Sequence, residues 1–135
     1  MKAVRKTTEG PGGVELCDIP EPELTANDHV KIAVKAGGIC GTDLHIREGG
    51  YGFKPPVTLG HEICGDVVGV GSAVTRVSAG DRVTINPTAS GSCGHCRYCH
   101  TGTVFFCENR KSIGSGLDGG FAEYLTVPEH LVFGL

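Results

Sequence analysis

Cys93, Cys96, Cys99 and Cys107 lie within fifteen residues, spaced C-x2-C-x2-C-x7-C. Glycines at 94 and 102 let the backbone turn between them. Thiolates this dense read as one tetrahedral metal site. Zinc suits closed sulfur sites and brings no redox chemistry. Seven cysteines cannot pair evenly, and this spacing suits a metal better than bridges. Four thiolates leave no position open for a substrate, so the cluster is expected to hold shape and the reaction belongs elsewhere. The second set with chemical potential is Cys40, Asp43, His45, His61 and Glu62. Cys40 and His61 are typical zinc ligands, and Glu62 or a water can complete the site. Asp43 can reach the side of Cys40 if that turn is helical. There it can accept a hydrogen bond from the second ring nitrogen of His61. Two plainer readings stand beside this one. Cys40 fits a small buried hydrophobe, and His61 with Glu62 fits a strand-edge pair facing water.

The elements that must position these residues are short strands. Residues 1–6 and 14–19 form two strands across a glycine-proline turn at 10–13, a hairpin. Residues 28–35 put Val30, Ile32 and Val34 on one face. A short helix carrying Asp43, Leu44 and His45 follows, capped by Gly41 or Thr42. Residues 60–71 read as a bent, glycine-weakened strand and 82–86 as another. Residues 121–127 form a last strand with Phe121, Glu123, Leu125 and Val127 on one face, ended by Pro128. Glycine supplies 22 of 135 residues, about twice the usual share. Together these signals predict a mainly β barrel or sandwich with one or two short helices.

Bulk properties exclude several classes. The net charge is −3, from 12 basic and 15 acidic residues, so no nucleic-acid partner is expected. No apolar run approaches the ~20 residues of a membrane span. The first residues carry no signal-peptide core, and a cytoplasmic location is expected. Cys17 and Cys64 read as buried free thiols; His29, His95, His100 and His130 as surface or loop residues; Arg97 and Tyr98 as tips of the cysteine loop.

The chain resembles the N-terminal catalytic domain of the zinc-containing medium-chain dehydrogenases, the alcohol, polyol and threonine dehydrogenase superfamily. The matching residues are 38–45 (Gly-Ile-Cys-Gly-Thr-Asp-Leu-His), 56–62 (Pro-Val-Thr-Leu-Gly-His-Glu), 80–83 (Gly-Asp-Arg-Val), the cysteine loop 93–107, and 119–124 (Gly-Gly-Phe-Ala-Glu-Tyr). They run in the family's order and spacing. The resemblance implies a GroES-like β-barrel over residues 1–135, with a structural zinc lobe at about 89–112. It implies that Cys40 and His61 hold a catalytic zinc, with Glu62 as the acidic neighbour that joins in some states. It assigns Thr42 and His45 to proton relay, Asp43 to orienting the histidine, and Cys93, Cys96, Cys99 and Cys107 to the structural zinc. The implied reaction is reversible oxidation of a primary or secondary alcohol, with zinc as Lewis acid and hydride passing to NAD or NADP.

Family members continue into a Rossmann domain, and the third protein ligand of the catalytic zinc also lies downstream. The G-x-G-x-x-G text at 114–119 precedes a strand instead of following one, so it reads as a turn. The chain is therefore expected to be a fragment lacking the cofactor domain and inactive alone. Its four-cysteine site is expected to keep zinc, with the Cys40/His61 site empty or partly filled. A homo-oligomer is expected through the lobe. Two rival readings are a non-enzymatic zinc module and a co-chaperonin-like barrel that mediates protein interaction. Polyol, sugar-alcohol or threonine substrates fit His61-Glu62 and the full cysteine loop better than simple alcohols.

Overall fold

A computed structural model describes residues 1–87 and 91–135. Residues 89 and 90, where the lobe was expected to begin, lie outside the described residues. Eight strands carry the fold: β1 (Lys2–Lys6), β2 (Val14–Asp18), β3 (His29–Gly38), β4 (Val57–Thr58), β5 (Glu62–Val70), β6 (Arg82–Ile85), β7 (Tyr124–Pro128) and β8 (Val132–Gly134). Two short helices join them, α1 (Gly41–Arg47) and α2 (Arg97–His100). The strands form a five-stranded antiparallel sheet, ordered β7-β3-β5-β6-β8, and a three-stranded one, ordered β2-β1-β4. A bridge from Ala3 to Ala122 joins the two. The Val4 amide also donates to the Phe121 carbonyl at 2.7 Å. This is the mainly β, GroES-like barrel that the sequence predicts.

Alternation in β3 explains the core. Val30 and Ile32 are fully buried and meet Val67, Val83, Leu125 and Val127. Burying each such side chain stabilises the fold by roughly 1.5–3 kcal/mol. The pleat then breaks, because β3 shifts register against β5 at Lys31/Ile32 and again at Val34/Ala36. These bulges bend the sheet, and Val34 ends only half-buried. A smaller cluster of Ile46, Val57 and Leu59 fixes α1 against β4.

Several expectations need correction. β3 runs on to Gly38, which carries its pairing up to Glu62. The last strand begins at Tyr124 rather than 121; Leu125 and Val127 are buried, but Glu123 is exposed. The residues before Tyr124 divide their backbone bonds among β1, the Leu59–Gly60 segment and Val34 of β3, and Glu123 Oε2 accepts the Lys2 amide at 2.7 Å. Cys17 and Cys64 are free but half-buried. Half-buried His29 sits on β3, whereas His95, His100 and His130 are exposed. β4, β8 and α2 carry no periodic signal in the sequence. The glycine run 10–13 is held by fully buried Lys6, whose ammonium donates to the Gly10 and Gly12 carbonyls. Its Nζ also lies 5.0 Å from the Phe53 ring centroid.

Candidate metal centres and active site

Cys40 leaves the end of β3 and, in extended conformation, caps α1. The sequence pointed to Gly41 or Thr42 for this position; the helix starts one residue earlier. The reason is Asp43, whose Oδ2 reaches back to accept the Cys40 amide at 2.9 Å. A carboxylate at this position also suits the positive end of the helix. Asp43 is only 4% exposed. Its Oδ1 accepts the Gly60 amide at 3.3 Å. Gly60 has φ +89°, a left-handed conformation that aims its N–H at the carboxylate. A side chain there would strike the Phe121 ring at 2.4 Å. One buried carboxylate thus ties the backbone at Cys40 to the backbone beside His61.

The result is convergence. Cys40, His61 and Glu62 each place a ligand atom within 4.8 Å of the others. His61 Nδ1 lies 3.8 Å from Asp43 Oδ1, on the expected side but longer than a hydrogen bond. Glu62 opposes Gly38 across the β3–β5 ladder. A Cβ at Gly38 would come within 2.3 Å of the Glu62 carboxylate, so glycine there makes room for the acid. Thr42 Oγ1 is 3.7 Å from Cys40 Sγ. Thr42 and His61 line a pocket of about 130 Å³ with Tyr51, Arg110 and Ser115. His45 is exposed on α1. On the other side, His61 and Glu62 border an open groove of about 600 Å³ along β3, β5 and β6. An apolar cavity of about 520 Å³ lies elsewhere, between Arg5, Thr58 and Leu131, and contains none of these donors. Donor chemistry is the better guide.

In the lobe, Cys93, Cys96, Cys99 and Cys107 also hold their sulfurs within 4.8 Å of one another. Cys96 Sγ and Cys99 Sγ are 3.5 Å apart, and Cys93 Sγ and Cys99 Sγ 3.9 Å. A tetrahedron of Zn–S bonds near 2.3 Å has edges of ~3.8 Å, far longer than the ~2.05 Å of a disulfide. The sulfurs therefore fit zinc without rearrangement. Gly94 and Gly102 take φ +76° and +75°, the turns the spacing demands. The Cys93 thiol is lowered to about 6, chiefly by the backbone N–H of His95 and despite partial burial; Cys99 is pushed up to about 11, chiefly by burial. Cys93 is thus the thiol readiest to take a cation. Tyr98 packs on Phe106 at 5.9 Å between centroids, and the Arg97 guanidinium lies 5.4 Å from the Tyr98 ring. Tyr98 is consequently half-buried rather than an exposed tip. Within 114–119, residues 114–116 form a turn closed by a bridge from Ile113 to Leu117, in keeping with the turn reading of that segment. Sequence reasoning missed Tyr51 and Arg110 at the pocket, since neither stands in a motif.

The barrel and the two donor sets define a class, that of the zinc-containing dehydrogenases with a GroES-like domain. Residues 26–135 match the alcohol dehydrogenase GroES-like domain, and the chain belongs to the medium-chain zinc dehydrogenases as an N-terminal domain. It is 47% identical over 126 residues to a sorbitol dehydrogenase of Halalkalibacterium halodurans, covering 93% of this chain and 36% of that protein. It is 42% identical over 137 residues to an L-threonine 3-dehydrogenase of Symbiobacterium thermophilum, covering 98% and 38%. The galactitol-1-phosphate dehydrogenase structure from Escherichia coli superposes with TM-score 0.87 at 36% identity, covering 100% of this chain and 38% of that one. A Sinorhizobium meliloti structure bound to NADP gives TM-score 0.85 at 46% identity, covering 99% and 38%. The chain therefore spans well under half the length of these relatives. No helix among the described residues is long and apolar enough to cross a membrane.

Proposed function

We propose that the chain supplies the alcohol-binding half of the reaction centre in a zinc-dependent NAD(P) alcohol or polyol dehydrogenase. The observation that carries this is the convergence of Cys40, His61 and Glu62 in front of buried Asp43. Cys40 and His61 would hold the ion, with Glu62 beside them, and Cys93, Cys96, Cys99 and Cys107 would hold a second, structural ion. The catalytic zinc would supply Lewis acidity toward a substrate oxygen. Asp43 keeps the two ligand-bearing segments in register. Thr42, in the pocket wall, accepts the hydroxyl proton and passes it along one turn of α1 to exposed His45 and water.

Hydride acceptance by NAD or NADP is assigned to no residue of this chain. The proposal accordingly reads residues 1–135 as a catalytic-domain unit that needs a cofactor-binding domain and a further zinc ligand. The chain alone is expected to be inactive, with its Cys40/His61 site weakly filled. The sorbitol and threonine relatives support a polyol or hydroxy-amino-acid substrate over a simple alcohol. Exposed Phe105 and Phe106 on the lobe support a homo-oligomer, and the family supports a cytoplasmic setting. The non-enzymatic zinc module and the co-chaperonin-like barrel would leave the Cys40 constellation without a task.

The test is cobalt(II) titration of the chain, read by its ligand-field and thiolate charge-transfer bands. Two binding steps are expected, and Cys40→Ser should remove only the weaker. A single step unaffected by Cys40→Ser would refute the assignment. Addition of NAD and sorbitol or threonine should give no turnover with this chain; turnover above buffer would refute its dependence on a further domain.

A further inference from the structure

A second cleft opens directly beside the Thr42–His61 pocket. It measures about 440 Å³ and lies between loop 51–54 and the segment 110–116. It shares Tyr51, Arg110, Ser112 and Ser115 with that pocket. Every charged residue in its wall is a cation, namely Lys54, Arg110 and Lys111, although the whole chain carries −3. The walls are braced by backbone bonds. The Lys54 amide donates to the Ser115 carbonyl at 3.1 Å, and the Lys111 amide donates to the Gly91 carbonyl at 3.2 Å. The Arg110 guanidinium lies 4.5 Å from the Phe105 ring centroid, a stacking that limits its freedom.

We infer that this cleft is a subsite for an anionic group, phosphate or carboxylate, on the substrate whose hydroxyl sits at Cys40 and His61. The inference rests on the proposed function for its second half and extends it to a substrate class, an acidic alcohol such as a polyol phosphate or a hydroxy acid. Arg110 brings planar paired donors, Lys54 and Lys111 bring point charges, and Ser112 adds a hydroxyl. The contiguity of the two hollows places the anion and the reacting carbon on one small molecule.

The experiment follows amide resonances of the zinc-loaded chain during titration with inorganic phosphate and, separately, with acetate. Saturable shifts at residues 51–54 and 110–116 are expected with at least one of them; the tighter anion identifies the phosphate or carboxylate class. The double substitution Lys54→Gln with Lys111→Gln should weaken that binding about tenfold or more, with other resonances unchanged. Absence of saturable shifts with both anions, shifts spread evenly over distant lysines, or unchanged affinity in the double variant would each overturn the subsite. The readout needs neither turnover nor metal at Cys40. A failure here leaves the dehydrogenase reading intact; a failed cobalt titration with intact anion binding overturns that reading, and with it the link to a substrate hydroxyl, and leaves the anion subsite standing.

Discussion

Asp43→Ala removes a buried side chain that bonds to both ligand-bearing segments. Its carboxylate receives the Cys40 amide at 2.9 Å and the Gly60 amide at 3.3 Å, in a site 4% exposed. Truncation leaves two backbone donors facing an apolar void. A buried donor without a partner costs about 1–3 kcal/mol, and the longer Gly60 bond belongs at the low end. The sum is about 2–4 kcal/mol, a large part of a domain's stability. The helix also loses its N-terminal acid, worth a further ~0.5 kcal/mol. Urea denaturation of the zinc-loaded chain measures this directly. Metal affinity at Cys40 and His61 should fall about 10- to 100-fold as the ligands lose register, while the four-cysteine site keeps its affinity. Asp43→Asn retains one acceptor and should cost roughly half as much. A stability loss within ~0.5 kcal/mol, the scatter of ordinary surface changes, would refute the bridging role.

Replacing Lys6 by Met strands two glycine carbonyls and ends the contact with Phe53; a loss of about 1–3 kcal/mol in urea is expected, and a neutral result would show that water satisfies the turn. Ile32→Ala empties a fully buried position in β3 and should cost about 2–5 kcal/mol, read by thermal or chemical unfolding. In the metal-free chain, thiolate absorbance should show a step near pH 6 from Cys93 and a late one near 11 from Cys99. Because Cys93 is lowered, its stabilising contribution is present above the ordinary thiol value and is lost as pH falls through about 6. Cys93→Ser should abolish the early step; its persistence would contradict the assignment. Chelating the lobe zinc should lower the thermal midpoint and raise protease sensitivity at 93–107 while β3 and β5 stay protected, as hydrogen exchange would show.

Much of the fold follows from local pattern. Alternation at Val30 and Ile32 dictates which face of β3 is buried, whatever it packs on. The four cysteines announce their site because all its ligands lie in one short loop. Longer-range features behave differently. β4 has only two residues and β8 only three; their pairing depends on edges offered by β1 and β6, and no residue pattern encodes a partner. Phe121–Glu123 looked like strand because the segment alternates, yet its hydrogen bonds are split among β1, Leu59 and Val34 of β3.

The two donor sets divide in the same way. Residue type and spacing made Cys40, Asp43, His61 and Glu62 candidates beside two plainer readings, and the family resemblance chose between them. Their meeting point was set by tertiary structure. The β3 bulges, the Gly38–Glu62 pairing and the Gly60–Asp43 bond act across about twenty residues of intervening chain. Tyr51 and Arg110 reach the pocket from loops with no shared motif, brought there by backbone bonds such as Lys54 to Ser115. Sequence determines donors wherever chemistry restricts residue choice. Proximity between distant loops comes only from closing the barrel, because burial and backbone pairing, not residue identity, select those contacts.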